Sequence, residues 1–206
     1  MTELERPQIY LVTPSEFDLE TFIPTLKTIL DSHEIACVRV QMATTDESTL
    51  GRAADAIRET CHARDIAVVM TDHIMLAQRH GLDGVHLAAD PRGLRDLRKE
   101  LGADAIIGAH CGTSKHDGMS AGEAGADYVV FGPVGTSNLG DGTQAGPDLF
   151  RWWIEMIEVP VVAEGALDDD TVKSIAPVTD FFAIGDEIWT AEDPNARLGA
   201  LIALMG

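Results

Sequence analysis

The sequence predicts a (β/α)8 barrel folded as one domain over residues 1–206. Three observations predict it. Eight short runs are almost continuously apolar, a helical pattern follows each, and the length suits eight compact βα units. Runs this apolar have no wet face, so they read as parallel strands buried on both sides under crossover helices. The other fold built from such units, a doubly wound open sheet, carries a glycine-rich nucleotide turn after its first strand. Here the first run ends in VTPSEFD, residues 12–18, with no such glycines.

The elements follow in order. Strands are expected at 9–12, 36–40, 66–70, 84–87, 105–108, 128–131, 161–163 and 181–184, where Val, Ile, Phe and Tyr concentrate. Helices are expected at 18–31, 46–62, 74–80, 91–101, 116–124, 147–157, 168–175 and 194–204. Asp46 is a strong N-cap, and Pro91 stands at a first helical position. Gly81, Gly102 and Gly125 fall where helices should stop. The phrases HGLDGVHL, LGADAIIG and AGADYVVFG share one pattern of helix end, glycine, aspartate and strand.

Composition narrows the partners. The formal net charge of −19 argues against nucleic acid and anionic membrane surfaces, which both need a basic face. No apolar run approaches a membrane span, and the first residues, MTELERPQIY, do not resemble a secretion signal. Cys37, Cys61 and Cys111 are odd in number and scattered, as in a reducing compartment. A cytoplasmic location is the expectation. Trp152 and Trp153 offer either core packing or a subunit contact in a homo-oligomer.

In such a barrel the chemistry gathers at the C-terminal ends of the strands. Those positions hold Thr13, Arg39, Gln41, Thr71, Asp72, His73, His86, Asp90, His110, Cys111, Glu164, Gly165, Gly185, Asp186 and Glu187, and the loop GPVGTSNLGDGTQAG at 132–146. Asp72 and Asp90 follow adjacent strands. Each can ligate Mg²⁺, a hard cation that prefers oxygen, or cap the helix that follows it. His86 reads as a core histidine. His110 and Cys111 are adjacent on a strand end and should point to opposite sides, which argues against a nucleophilic dyad. Gly165 and Gly185 stand where late barrel loops hold phosphate through backbone N–H groups. Glu164, Asp186 and Glu187 oppose an anion there unless they turn away.

Four pieces in order, DGVHL (83–87), IIGAHCGTSKHDGMSAGEAGADYVVFGP (106–133), PVVAEGAL (160–167) and EDP (192–194), resemble the thiamine phosphate synthase/TenI superfamily. The resemblance implies a TIM barrel that joins hydroxymethylpyrimidine diphosphate to a thiazole phosphate and releases pyrophosphate. It implies Mg²⁺ at Asp72 and Asp90, a reacting set of Arg39, Gln41 and His110, and phosphate or substrate contacts from Thr71, Thr136, Ser137, Gly165 and Gly185. The partners are then small phosphorylated heterocycles.

The chain departs from the pattern at several of these positions. RVQMA puts Arg39, Gln41 and Ala43 where the family reads roughly Gln, Arg and Lys. Ala88 and Ala89 replace Gly-Gln, His110 replaces Ser, and Gly112 stands where a His is expected. The loop after the sixth strand has no Lys, and the glycine cradle is Gly165-Ala166, preceded by Glu164. Pro133 stands where the thiazole tautomerase branch carries His. Two other readings remain: a diverged enzyme on a less phosphorylated substrate, using Asp72, His110 and Glu164, and a non-catalytic binding or regulatory barrel.

Overall fold

The computed structural model describes residues 6–88, 91–136 and 142–206. Its strands are β1 (Gln8–Val12), β2 (Ile35–Val40), β3 (Ala67–Thr71), β4 (Gly84–Leu87), β5 (Ile106–His110), β6 (Tyr128–Phe131), β7 (Val161–Glu164) and β8 (Phe181–Ile184). They pair in parallel and in sequence order, and β8 closes onto β1. The helices are α1 (Leu19–Ser32), α2 (Glu47–His62), α3 (Ile74–Arg79), α4 (Leu94–Leu101), α5 (Lys115–Ala124), α6 (Pro147–Met156), α7 (Asp169–Ile175), α8 (Asp186–Trp189) and α9 (Pro194–Ile202). No helix among the described residues is long and apolar enough to cross a membrane.

Each predicted strand is present, and the local chemistry explains the helix ends. Asp18, Asp46, Asp168 and Asp193 accept N–H groups of the first turns of α1, α2, α7 and α9. Gly102 and Gly125 close α4 and α5 at positive φ, a conformation that costs any residue with a Cβ. Three boundaries differ from the sequence reading in ways that matter. The stretch expected as one helix at 91–101 is a 3-10 turn, Pro91–Gly93, followed by α4. β5 and β7 run further than expected, so His110 and Glu164 are the last residues of their strands. The short helix α8 is additional, and it carries Glu187.

Strand side chains alternate between two cores. The outward faces and the helices form the main apolar core, with Trp153, Phe131 and Phe150 among its largest members. Trp153 also donates from Nε1 to the Val159 carbonyl, 2.7 Å away. Trp152 is half-buried, with the Lys115 ammonium 4.2 Å from its ring centre. All three cysteines are free and buried. Burial pushes the Cys61 and Cys111 thiols up to about 12, so they are protonated at neutral pH.

The inward face is different. Tyr10, Val12, Cys37, Val69, Tyr128, Val130, Val162 and Ala183 form a second, smaller cluster inside the barrel. Tyr10 and Tyr128 share a 2.6 Å hydrogen bond across it, and His86 Nδ1 lies 3.2 Å from the Tyr128 hydroxyl. Gly108 makes room for this chain, because a Cβ there would sit 1.9 Å from the Tyr128 ring. His86 is thus a hydrogen-bonded core histidine.

The N-terminal rim is held by a repeated device. Asp83, just before β4, donates its N–H to Val68 O and accepts the Val68 N–H on its carboxylate, at 2.8 and 2.7 Å. Asp127, before β6, does the same to Ile107 at 2.8 and 2.7 Å. Asp180, before β8, does so to Val161 at 3.2 and 2.8 Å. Each bracket satisfies backbone groups at the beginning of the preceding strand. Asp83 and Asp127 belong to the shared sequence pattern noted above. The phrase LGADAIIG does not extend it, since the residue before β5 is Ala105, and Asp180 takes that role at β8.

Candidate active site

The mouth of the barrel is built from the strand ends upward. Arg39, on an inward position of β2, is 1% exposed. An arginine buried this deeply needs a carboxylate, and Glu164 at the end of β7 provides it. The two form a forked pair, Nη1 to Oε2 at 3.1 Å and Nη2 to Oε1 shorter still. The Arg39 guanidinium also lies 5.6 Å from the Tyr10 ring centre, and its Nε is buried without a hydrogen bond. Burial works against the Arg39 charge, but Glu164 and Tyr10 overcome it and hold the group protonated.

His110 stands half-buried at the end of β5, within electrostatic reach of this pair. Burial lowers its pKa, Glu164 opposes the fall, and Arg39 adds to it. His86, deeper in the barrel, is pushed well down by burial, then by Arg39 and His110. Both imidazoles are therefore neutral at pH 7. Cys111 points into the outer core and donates to the Ala109 carbonyl, so His110 and Cys111 do face opposite ways.

Thr13 ties the ends of β1 and β2 together, donating to the Gln41 carbonyl at 3.1 Å and accepting the Gln41 N–H at 3.0 Å. The exposed Gln41 side chain faces Thr71 across 3.4 Å. Asp72 is exposed, at φ +57°. It does not cap α3, whose N-cap is His73 with no side-chain bond. Asp72 instead donates its N–H to His86 O at 3.0 Å and accepts the Ala88 N–H on Oδ1 at 2.9 Å. Its Oδ2 makes no hydrogen bond among the described residues. An exposed carboxylate oxygen of this kind suits one inner ligand of a largely hydrated Mg²⁺. Asp90, the other expected ligand, lies outside the described residues. Among the described residues no group of three or more His, Cys, Asp or Glu converges on one point.

The loops after β6 and β7 are laced together by their backbones. Val134 and Gly135 donate to Gly165 O at 3.1 and 3.0 Å, and a Cβ on Gly135 would sit 1.8 Å from Ala166 O. Gly165 lies at φ +93° and Ala166 at φ +56°, a left-handed turn that favours glycine at both places. The cradle therefore keeps its shape although alanine fills its second position. Thr136 accepts from Gln144 Nε2 at 3.0 Å, while Ser137 lies outside the described residues.

Beside this cradle a cavity of about 430 Å³ opens between the ends of β1, β2, β7 and β8. Thr13, Gln41, Glu164, Gly165, Gly185 and Glu187 are among its walls, and among the described residues no Lys, Arg or His lines it. Glu187 accepts the Gly185 N–H at 2.9 Å and the Leu167 N–H at 3.2 Å.

A family model described as thiamine monophosphate synthase matches residues 9–185. The chain belongs to the thiamine monophosphate synthase family. It is 40% identical to a thiamine-phosphate synthase of Rhodospirillum centenum over 186 residues, 88% of this chain and 89% of that protein. It is 34% identical to one of Erythrobacter litoralis, over 95% of each. Among solved structures, thiamine phosphate pyrophosphorylase from Pyrococcus furiosus superposes with a TM-score of 0.81 at 21% identity, covering 96% of each chain. A 3-hexulose-6-phosphate synthase from Salmonella typhimurium gives 0.71 at 19%, covering 95% of this chain and 97% of that one. At such identities these two establish the barrel and nothing about its substrate.

The sequence reading did not anticipate three features of this family member's mouth: the Arg39–Glu164 pair, the Tyr10–Tyr128–His86 chain and the role of Glu187. The first had a signal. An arginine inside the apolar strand ACVRV, residues 36–40, requires a buried carboxylate partner, and Glu164 ends another strand. The Tyr10–Tyr128–His86 chain had none, because its residues are far apart in sequence, and nothing in the sequence pairs Glu187 with the Leu167 N–H 20 residues before it.

Proposed function

We propose that this family member is a transferase of the thiamine phosphate synthase type. It moves the hydroxymethylpyrimidine group from its diphosphate to the ring nitrogen of a thiazole phosphate and releases pyrophosphate. What carries this reading is family membership across almost the whole chain, with 40% identity to a named thiamine-phosphate synthase over 88% of its length. The carbon–oxygen bond to the diphosphate breaks, and its electron pair leaves with pyrophosphate. The thiazole nitrogen lone pair then forms the new carbon–nitrogen bond.

Within this proposal Asp72, through its open oxygen, and Asp90 would hold Mg²⁺. The ion would supply charge to offset the negative charge that gathers on the departing pyrophosphate. Thr71, Thr136 and Ser137 supply hydroxyls toward the substrates, and Gly165 shapes the backbone around the thiazole. Neutral His110 can exchange a hydrogen bond with a heterocycle, and Gln41 can do so from the rim. Arg39 acts as a positioning residue rather than a diphosphate clamp. Its two terminal nitrogens are taken by Glu164, and what it fixes is the floor on which the heterocycles rest. The diphosphate site is thinner than the family pattern, since hydroxyls stand where a lysine would. Each missing charge-assisted bond is worth roughly 1.5–3 kcal/mol.

The test is direct. Purified protein is supplied with hydroxymethylpyrimidine diphosphate, a thiazole acceptor and Mg²⁺, and pyrophosphate and coupled product are measured. Turnover that requires both substrates is expected. Failure to release pyrophosphate under any of these conditions would remove the reading.

A further inference from the structure

The Arg39–Glu164 pair is lopsided. The arginine side chain is 1% exposed and the glutamate 23%, so the cation lies beneath and the mouth sees the carboxylate. The partners belong to β2 and β7, three places apart around the ring, so the Glu164 carboxylate reaches inward over the barrel interior. The fork uses one direction at each oxygen, Nη1 on Oε2 and Nη2 on Oε1, and Arg39 is the only donor to them among the described residues. A carboxylate has about four acceptor sites, so each oxygen keeps one for a further donor. Glu164 also lines the cavity of about 430 Å³, a volume that suits a small heterocycle.

A half-buried carboxylate with open acceptor sites selects an N–H donor. Of the two reactants, only the pyrimidine brings one, its exocyclic amino group. The thiazole phosphate offers a ring nitrogen that accepts and an anionic tail. The amino group also changes during the reaction. Loss of pyrophosphate leaves the pyrimidine methylene short of electrons, and the amino nitrogen shares that deficit through the ring. Its N–H becomes a stronger donor as the carbon–oxygen bond breaks. A hydrogen bond to a fixed anion is then stronger in the transition state than in the ground state, which is the condition for raising kcat.

Resting on the transferase reading above, we infer that Glu164 is a further catalytic residue: its carboxylate accepts an N–H of the amino group on the pyrimidine donor. Arg39 holds that carboxylate in place from below. Glu164 takes up no proton. The carbon–oxygen electron pair leaves with pyrophosphate, and the thiazole nitrogen lone pair makes the new bond.

Glu164→Gln alone leaves Arg39 buried without its counter-ion, so the experiment uses Arg39→Met with Glu164→Leu, which removes both charges together. The unmodified protein and this double variant each receive pyrimidine diphosphate, or its analogue with hydrogen in place of the amino group, with thiazole phosphate and Mg²⁺. The deamino compound is intrinsically less reactive, and that loss is common to both proteins. The unmodified protein should lose a further factor of about tenfold or more in kcat/KM, more of it in kcat than in KM, that the double variant does not lose. Equal losses in the two proteins overturn the inference and leave the transferase reading standing. A second arm needs neither catalysis nor a folded variant. Calorimetry of the unmodified protein with each diphosphate and Mg²⁺, without thiazole, should show the deamino compound binding about fivefold more weakly. Equal affinity, or no binding of either, overturns the inference. If the amino compound binds better but nothing turns over, the transferase reading fails while the contact of Glu164 with the amino group is supported.

Discussion

The two rims of this barrel use the same side chains for different ends. At the N-terminal rim Asp83, Asp127 and Asp180 each close a two-bond bracket on the first or second residue of the strand before them. At the C-terminal rim Asp72, Glu164 and Glu187 also find N–H donors or an arginine, but they do so between separate loops and at the edge of solvent. The lower carboxylates finish the sheet. The upper ones decide what charge the mouth presents. A negative side chain on a barrel is therefore read by which end it occupies and by what it holds, not by its identity.

The comparison can be broken most severely at Glu164. Glu164→Gln leaves Arg39 charged and buried without its counter-ion, and removal of one partner from such a pair costs about 3–5 kcal/mol. Urea denaturation should show a loss of that order. The double variant Arg39→Met with Glu164→Leu should recover much of it, because neither charge then remains buried. Full stability in Glu164→Gln alone would mean that the pair is not a structural element of the mouth.

At the lower rim, Asp180→Ala strands the N–H of Val161, which is fully buried. A loss of about 1–3 kcal/mol is expected, with KM for either substrate unchanged. A specific change in KM would erase the distinction between the rims.

The interior between the rims has its own pH signature. His86 and His110 have folded pKa values below the unfolded value of 6.5. Below pH 6.5 the unfolded chain takes up protons that the folded chain refuses, so stability is full above that value and falls as the pH drops through it toward the folded values. The slope of unfolding free energy between pH 6.5 and 5 should flatten in His86→Gln. An unchanged slope would place the proton uptake elsewhere.

The smallest stability effect is expected at Asp72, which is exposed. Asp72→Asn should stay within about 0.5 kcal/mol of the parent. The same change should abolish Mg²⁺-dependent turnover. Unaltered Mg²⁺ dependence would move the metal site away from β3.

Much of this was legible beforehand. The apolar runs and the helical periods are local signals, so the eight strands and the helix order could be read residue by residue. Helix stops at Gly102 and Gly125 and the Asp46 cap are local too, as each depends on residues within one turn. The four sequence pieces that pointed to the family lie mostly in strands and their exits, where the fold repeats most faithfully. The reading of Asp72 was open between cap and ligand, because spacing alone cannot say whether a side chain turns toward the helix after it or across to the next loop.

Other features depended on closure of the barrel. Arg39 and Glu164 are 125 residues apart, and Tyr10 and Tyr128 are separated by 118. Nothing within either neighbourhood selects the other. Parallel pairing in order around the ring brings their strands inward at matching heights, and burial then makes the pairing obligatory. Sequence alone determined which segments become strands and helices, because hydrophobic periodicity acts over a few residues. Tertiary structure decided the electrostatics of the mouth, because a charge is favourable or costly only in relation to what the folded chain places beside it.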